Sequence, residues 1–278
     1  MTTELLIKDT GVLARAELDV QISTAKAYPR DPKQSLDNAI FLATMDEATA
    51  ASCFYCLPRK DKDGSKKEIR GGSIRLAEIM ATSWGNLHAA TRIVENDGQH
   101  ITAEGCAWDL QANVKITMQN KISIRFGKGK DQYTANSDMQ TVLSNAASAK
   151  ALRNAIFKVV PKALADRVLE KAMAFSIGDQ RTVNSKVTEI FDKLTKLGID
   201  KQLIMDYYEH KSLADFTIED CRSLIGVGTA IKEGHIKIEE VFQIIKEDDD
   251  SKISAAEKIN NLLHYKKQVN SETGEVNE

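Results

Sequence analysis

The sequence predicts an α+β protein: an antiparallel three-stranded β-meander packed on a long basic helix, followed by a small all-α C-terminal domain. Three stretches of the chain carry this prediction. Residues 87–126 show strand-type alternation, with the turn sequence NDG at residues 96–98 between the first two runs. Residues 136–172 form an Ala-rich stretch in which apolar residues recur at helical spacing. Residues 184–245 divide into short helical patterns, one of which opens with the capping-box sequence TIED at residues 217–220.

Residues 1–30 are mixed and could hold a short strand at 5–7 and a helix at 12–20, and residues 36–83 predict two helices separated by a charged loop. Ser35 has the character of an N-cap for a helix over residues 36–56, which the proline two residues later ends. Residues 59–70 are mostly charged, and such a loop either clamps phosphates or is simply solvated. Ser73 follows two glycines and is expected to cap a second helix over residues 74–83.

The meander is expected to be buried on one side and basic on the other. Its second run, residues 101–109, alternates between small apolar residues and larger or polar ones. Its third run, residues 114–126, shifts phase near residues 119–121, which predicts a bulge or a tight bend. Basic residues stand on the face opposite the apolar one and in the glycine-rich link that follows: Lys115, Lys121, Arg125, Lys128 and Lys130.

The long helix and the strands before it form the most basic part of the chain. Residues 115–171 hold eleven Lys and Arg against four Asp and Glu. One apolar stripe of the helix is expected to pack on the sheet, while Lys150, Arg153 and Lys158 lie off that stripe. Pro161 kinks the helix or separates it from a second one. This charge bias indicates an anionic ligand, although solvated surface charge is the alternative for each single residue.

Charge also divides the chain into two parts. The 278 residues have a net charge of −2, but residues 1–178 carry +4 and residues 179–278 carry −6. A basic part joined to an acidic part suggests an anionic ligand on the first and a different partner on the second, with ordinary surface charge as the alternative. No apolar run approaches the ~18 residues of a membrane span, and we expect a cytoplasmic protein without a membrane partner.

Catalytic chemistry finds no support in the sequence. The Walker A pattern GxxxxGK[ST] is absent, which argues against nucleotide hydrolysis. The carboxylates of the strand region do not have the spacing of a metal nuclease, and the five histidines are scattered. Cys53 and Cys56 have the spacing of metal ligands, but no second pair completes a zinc site, so we expect core cysteines. We therefore expect no enzyme, no metal and no cofactor.

The order of helix, three antiparallel strands and long basic helix resembles the Rad52-like single-strand annealing proteins, including phage recombination proteins of the Sak and Erf type. Three stretches carry the resemblance: residues 69–84 (IRGGSIRLAEIMATSW), the hairpin at residues 93–109, and residues 146–161 (AASAKALRNAIFKVVP). The basic pair usual in the family's helix stands here as Arg153-Asn154, with one charge. The resemblance implies a β-β-β-α unit that repeats around a ring or along a filament, and a host-cell cytoplasm if the chain is phage-encoded.

The resemblance and the charge pattern together suggest an ATP-independent protein that binds and anneals single-stranded DNA in homologous recombination. Cations hold the phosphates without reading sequence, and the bases stay free to pair. A single-strand DNA or RNA-binding module without annealing, and an oligomeric scaffold that recruits a nuclease, are the alternatives. Trp84, Trp108 and Tyr133 are candidates for base stacking or for the core. The DNA-binding candidates are Arg70, Arg75, Lys115, Lys121, Arg125, Lys128, Lys130, Lys150, Arg153 and Lys158.

With this function, we expect the chain to divide into three segments. Residues 1–178 would bind and anneal the strand. Residues 179–246 would form a small helical domain for protein partners, among them an exonuclease or a single-strand-binding protein. Residues 247–278 would form an acidic tail with one short helix and a disordered end. On this division, deletion of residues 179–278 should leave annealing largely intact, and the protein should form homo-oligomers through its first segment.

Overall fold

The structure has the α+β class that the sequence predicts, with a three-stranded antiparallel sheet in the strand order β3–β4–β5. It is a computed structural model that describes residues 3–60, 66–127, 129, 132–177 and 183–242. The strands are β1 (Phe54–Lys60), β2 (Lys66–Gly72), β3 (Leu87–Asn96), β4 (His100–Asp109), β5 (Val114–Ser123), β6 (Arg125–Phe126) and β7 (Tyr133–Thr134). The helices are α1 (Thr3–Ala27), α2 (Pro32–Ala43), α3 (Glu47–Ser52), α4 (Ile74–Trp84), α5 (Ser137–Val159), α6 (Lys162–Phe175), α7 (Val183–Lys196), α8 (Lys201–Tyr208), α9 (Ile218–Lys232) and α10 (Ile238–Val241).

The region predicted as one helix over residues 36–56 contains two helices and the start of a strand, so this prediction is wrong. Asp31, not Ser35, caps α2: its side chain accepts from the backbone N–H of Lys33 at 2.8 Å. Asp46 caps the short α3 in the same way. The two caps satisfy N–H groups that lack helical partners, and they set two separate helix starts within one apolar pattern.

Of the charged residues 59–70, residues 59–60 and 66–70 lie on the paired antiparallel strands β1 and β2, not in a loop; residues 61–65 fall outside the described part. Cys56 pairs with Arg70 and Pro58 with Glu68 in the β1–β2 register. Because this sheet has two strands, each has an outer edge where a proline removes no ladder hydrogen bond. The prediction at Ser73 is confirmed, since its hydroxyl accepts from the Leu76 N–H at 3.2 Å and α4 begins there.

The predicted meander is confirmed, but without the irregularity expected in its third strand. β5 pairs with β4 in one continuous register, and Asn120 occupies the position where the phase shift was predicted. The register shift lies instead in β3, between Ile93 and Glu95. Asn120 is a polar residue on the face of β5 that points toward α5, and in the sequence it has the same effect as a break in the alternation.

The long helix crosses the sheet at very short distance. α5 contacts all three strands, and Ala103, Ala147 and Ala151 are fully buried where it crosses. A Cβ added to Gly105 would lie 2.3 Å from the carbonyl carbon of Ala151. Glycine and alanine are thus required at this crossing, because any larger side chain would separate helix and sheet.

Pro161 separates two helices. Of the two predictions for this proline, a kink or a separation, the separation is confirmed. Asn136 caps α5 by accepting from the Met139 N–H at 2.9 Å, and α5 ends at Val159. Pro161 then stands at the N-cap position of α6, where the lack of an N–H costs nothing. Helices α2, α4, α5 and α6 share one core that includes Leu76, Met80 and Ile156.

Helix α9 packs on β1, and helices α7 to α10 share one hydrophobic core. Cys56 belongs to their hydrophobic core, together with Phe191, Leu224 and Phe242. Residues Met1–Phe242 form one compact unit, so the boundary suggested near residue 178 falls inside it. The role of residues 179–246 in binding partners stays a prediction. Within the described residues, no helix is long and apolar enough to cross a membrane.

Gly105→Ala should destabilise the fold by about 1–3 kcal/mol, because the added methyl overlaps the backbone of α5. Urea unfolding followed by circular dichroism measures this loss. Cys106→Ala, at the next residue and on the opposite face of β4, is the control and should change the free energy of unfolding by less than about 0.5 kcal/mol. Equal stability of both variants would show that α5 does not approach β4 this closely.

Two glycines of α9 should respond in opposite directions to alanine. A Cβ at Gly226 would lie 2.6 Å from Cβ of Cys56 and 2.8 Å from its backbone nitrogen, so Gly226→Ala should destabilise the protein. A Cβ at Gly228 meets only a methyl of Leu194 at 3.3 Å, and Gly228→Ala should gain up to about 1 kcal/mol of helix propensity. Thermal unfolding compares the two; a gain in stability at both positions would contradict the tight docking of α9 on β1.

Candidate nucleic-acid interface

Three of the predicted DNA-binding residues, from two different helices, come together around one carboxylate. Arg75 of α4 and Lys150 and Arg153 of α5 all act electrostatically on Glu233, at the end of α9. Lys232 lies beside them: it lines a cavity with Lys150 and Arg153, and a second one with Arg75. We call these four cations and Glu233 the Glu233 cluster.

The two cations of α5 reach the turn that follows α9. The Nζ of Lys150 donates to the carbonyl oxygen of Gly234 at 3.0 Å. Arg153 donates to Nε2 of His235 at 3.1 Å, and its guanidinium lies over the ring of Tyr55, 5.0 Å from the centroid. Arg153 also donates to the side-chain oxygen of Asn154. Both cations are therefore held in place by protein groups, with part of each still at the surface.

The Glu233 cluster borders a cavity of about 380 Å³ between α5 and residues 232–235. Its α5 wall has an apolar part followed by two cations, and residues 232–235 on the other side include a lysine and a glutamate. The lining residues include Val142, Ala146, Ala149, Lys150, Arg153 and His235. An apolar wall beside a row of cations suits a ligand that carries both a flat apolar part and a negative charge.

Burial sets the protonation of the groups in this site. It raises the pKa of Glu233, against the charges of Arg153, Lys150 and Arg75, which lower it. Burial, and then the charges of Arg153 and Lys150, lower the pKa of His235 to about 3. The pKa of Lys150 is also lowered, first by burial and then by Arg153. His235 is therefore neutral at pH 7, and its Nε2 accepts from Arg153 because a guanidinium can only donate.

Arg70 lies away from this site, in a polar network that fastens α9 to β2. It forms ion pairs with Glu68, at 2.7 Å, and with Glu219. Glu68 also accepts from Ser223 of α9 and from the thiol of Cys56. Burial raises the pKa of Glu68, but hydrogen bonds from Ser223, Arg70 and Cys56 lower it by more than burial raises it. The net shift of this pKa is therefore downward. The contacts of Arg70 serve packing in this structure.

Within the described residues, the cations predicted on the long helix and those predicted on the strands do not form one surface. Gly105 faces α5, so Trp108 and Thr102 of β4 face the other way, with their register partners Lys115 and Lys121. Lys115 lies 5.5 Å from the ring centroid of Trp108. Lys121 pairs with Asp97 at 3.3 Å. The two sets of cations therefore lie on opposite sides of the sheet.

The other predicted site residues have separate positions. Arg125 is exposed in β6, and Lys158 is exposed in the last turn of α5. Arg75, which belongs to the Glu233 cluster, is 60% exposed and also pairs with Glu78 at 2.5 Å. Lys128 and Lys130 lie outside the described residues.

The three candidates for base stacking differ in exposure. Trp84 is buried: its Nε1 donates to Asp109 at 3.2 Å, and Arg30 lies over its ring at 4.4 Å. It therefore belongs to the core. Trp108 is half-buried on the open face of the sheet, and Tyr133 is exposed and stacks on Phe126 at 5.9 Å.

The cysteines with metal-ligand spacing are core residues. Cys53 and Cys56 are buried, and burial raises the pKa of both thiols to about 12. Within the described part of the chain, no cluster of His, Cys, Asp and Glu is arranged to hold a metal ion. These thiols are therefore neutral and poorly suited to bind a metal or act as nucleophiles.

Comparison with known proteins adds no relative: no protein-family model, no curated protein and no solved structure matches this chain.

Lys232 is the functional candidate that sequence reasoning missed. It lies in the part of the chain with a net charge of −6, where a single lysine carries no visible signal. It is the last residue of α9, and the docking of this helix brings it beside α4 and α5, which are distant in sequence. Only its position directly before Glu233 and His235, a mixed charged group at a helix end, could have drawn attention to it.

Proposed function

We propose that this chain is an ATP-independent single-stranded DNA-binding and annealing protein of the Rad52-like type. The observation that carries the proposal is the meeting of Arg75, Lys150, Arg153 and Lys232 on one surface. These cations come from three helices, α4, α5 and α9, and the four of them outnumber the two carboxylates that act on them, Glu233 and Glu78. A strand held by its phosphates at such a surface keeps its bases available for pairing.

The order of elements supports the Rad52-like assignment. Three antiparallel strands are followed by the helix that crosses them, which is the β-β-β-α unit the sequence resemblance implies. Residues 69–84, one of the stretches that carry the resemblance, supply Arg75 to the Glu233 cluster. Residues 146–161, another of them, supply Lys150 and Arg153.

The sheet offers a means of forming homo-oligomers, rings or filaments. β3 and β5 are edge strands, and no described strand pairs with their outer edges. Unpaired edges of this kind join readily to a strand of another copy. Large apolar side chains are exposed on these strands, on α1 and near the start of α5: Ile93, Val94, Val114, Val12, Leu13, Val20, Met139 and Val142.

The annealing activity is tested by mixing two complementary labelled oligonucleotides without ATP. The proposal predicts that the protein binds each strand and accelerates duplex formation, because phosphate contacts leave bases free and bring two strands together. Tight binding without acceleration would leave a single-strand-binding module, which is the alternative function. If the protein binds neither strand, both the annealing function and the single-strand-binding function are excluded.

Arg75→Ala and Lys232→Ala should each weaken the binding of single-stranded DNA equally for all sequences. Each removes one phosphate contact, so the slope of log K against log salt should flatten by about 0.7. Fluorescence anisotropy at several salt concentrations measures the slope. Lys201→Ala, in α8 and paired with Asp192, is the matched control and should leave it unchanged. Equal slopes for all three variants would place the strand elsewhere.

A further inference from the structure

We infer that Glu233 occupies a phosphate site of this protein, and that a backbone phosphate of single-stranded DNA must displace it to bind. This rests on the proposed function and adds a defined anion site with an internal competitor. The site is formed by the first turn of α4 and the cations of the Glu233 cluster. The argument depends on what surrounds the Glu233 carboxylate and on how weakly that carboxylate is held.

The surroundings of Glu233 are those of an anion site. The backbone N–H of Ile74, the first residue of α4, acts on this carboxylate through a hydrogen-bond interaction. The N-terminus of a helix carries partial positive charge and unpaired N–H groups, which favour a bound anion. The charges of Arg153, Lys150 and Arg75 add to it from two helices. One carboxylate thus faces three cations and a helix N-terminus.

His235 is a second buried polar group beside the Glu233 carboxylate. His235 lines the cavity beside Lys150 and Arg153, and its side chain is only 6% exposed. Its Nε2 accepts from Arg153, so the ring proton is on Nδ1, which is buried without a hydrogen-bond partner. Because Nε2 and not Nδ1 faces Glu233, at 3.5 Å from its Oε2, the ring gives this carboxylate no hydrogen bond.

The carboxylate fills this site incompletely. Its Oε2 is buried without a hydrogen-bond partner, and it lies 3.5 Å from an imidazole nitrogen that is itself an acceptor. A buried charge with an unpaired oxygen is poorly stabilised. A phosphodiester has one charge, as Glu233 has, but it offers more acceptor oxygens to the same cations. Exchange of one anion for the other therefore keeps the charge of the site and improves its hydrogen bonding.

The exchange requires only a local movement. Glu233 and Gly234 lie after the last residue of α9, and Gly234 has φ +65°, in the left-handed region that glycine adopts readily. Lys150 and Arg153 hold this turn through Gly234 and His235. A phosphate that takes over these two cations would release the turn by the same step. The apparent affinity for the strand then equals the affinity of the open form multiplied by the fraction of protein in which the turn is open.

The test is Glu233→Gln, which removes the charge and keeps the shape of the side chain. We expect tighter binding of a labelled oligothymidylate, by roughly ten-fold if the closed turn outnumbers the open one by that factor. Glu240→Gln, an exposed residue of α10, makes the same change in net charge and should alter affinity by less than about two-fold at 0.15 M salt. Arg75→Ala added to Glu233→Gln should remove much of the gain.

The outcomes separate this inference from the proposed function. If the wild type binds and Glu233→Gln gains no more affinity than the Glu240→Gln control, the competitor role is wrong while DNA binding stands. Weaker binding by Glu233→Gln would overturn it as well. If neither the wild type nor Glu233→Gln binds single-stranded DNA, both proposals fail. Binding by Glu233→Gln alone would support both. Thermal unfolding of each variant, expected to match the wild type, excludes misfolding as the cause.

Discussion

The close contact between β4 and α5 is the constraint on which the rest of the structure depends. At Gly105 the backbone of the helix lies so near the strand that no side chain fits between them. Ala103, Ala147 and Ala151 continue this contact. A helix held at this distance has a fixed rotation about its axis, because turning it would bring larger side chains against the sheet. That rotation directs Lys150 and Arg153 away from the sheet and toward the turn after α9.

The sequence predicted the meander, α5 and the break at Pro161 because each has a strong local signal. Alternation, a hairpin turn and a proline act within a few residues of where they stand. The β1–β2 hairpin had no such signal. Residues 59–70 are charged on both strands, and the apolar residues before them suit a helix as well as a strand. Contact with α9, through Gly226 and Cys56, decides in favour of the strand, and that contact lies about 170 positions away along the chain.

The candidate site was predicted in part, for the same reason. Helical spacing identifies Lys150 and Arg153 as lying off the apolar stripe, which is correct. Alternation also placed Lys115 and Lys121 correctly on the basic face of the sheet, but that face points away from α5, so they do not share a surface with Lys150 and Arg153. Lys232 could not be assigned at all, since it reaches α4 and α5 only through tertiary packing. Charge counted along the sequence located the basic region, but it could not show that the cations of the strands and those of α5 lie on two different surfaces.

The position of Glu233 follows from the docking of α9, and this bears on how the C-terminal part should be dissected. Gly226 fixes α9 against Cys56, and Glu233 stands seven residues further on, about 10 Å along the helix axis. Deleting residues 179–278 would remove Lys232 and Glu233, and it would also expose the face of the hairpin that Leu224 and Val227 cover. The two losses have different effects on binding, since one takes away a cation and the other takes away a competing anion. A truncation therefore cannot show whether this part is separate from the annealing surface, whereas single substitutions within the Glu233 cluster can.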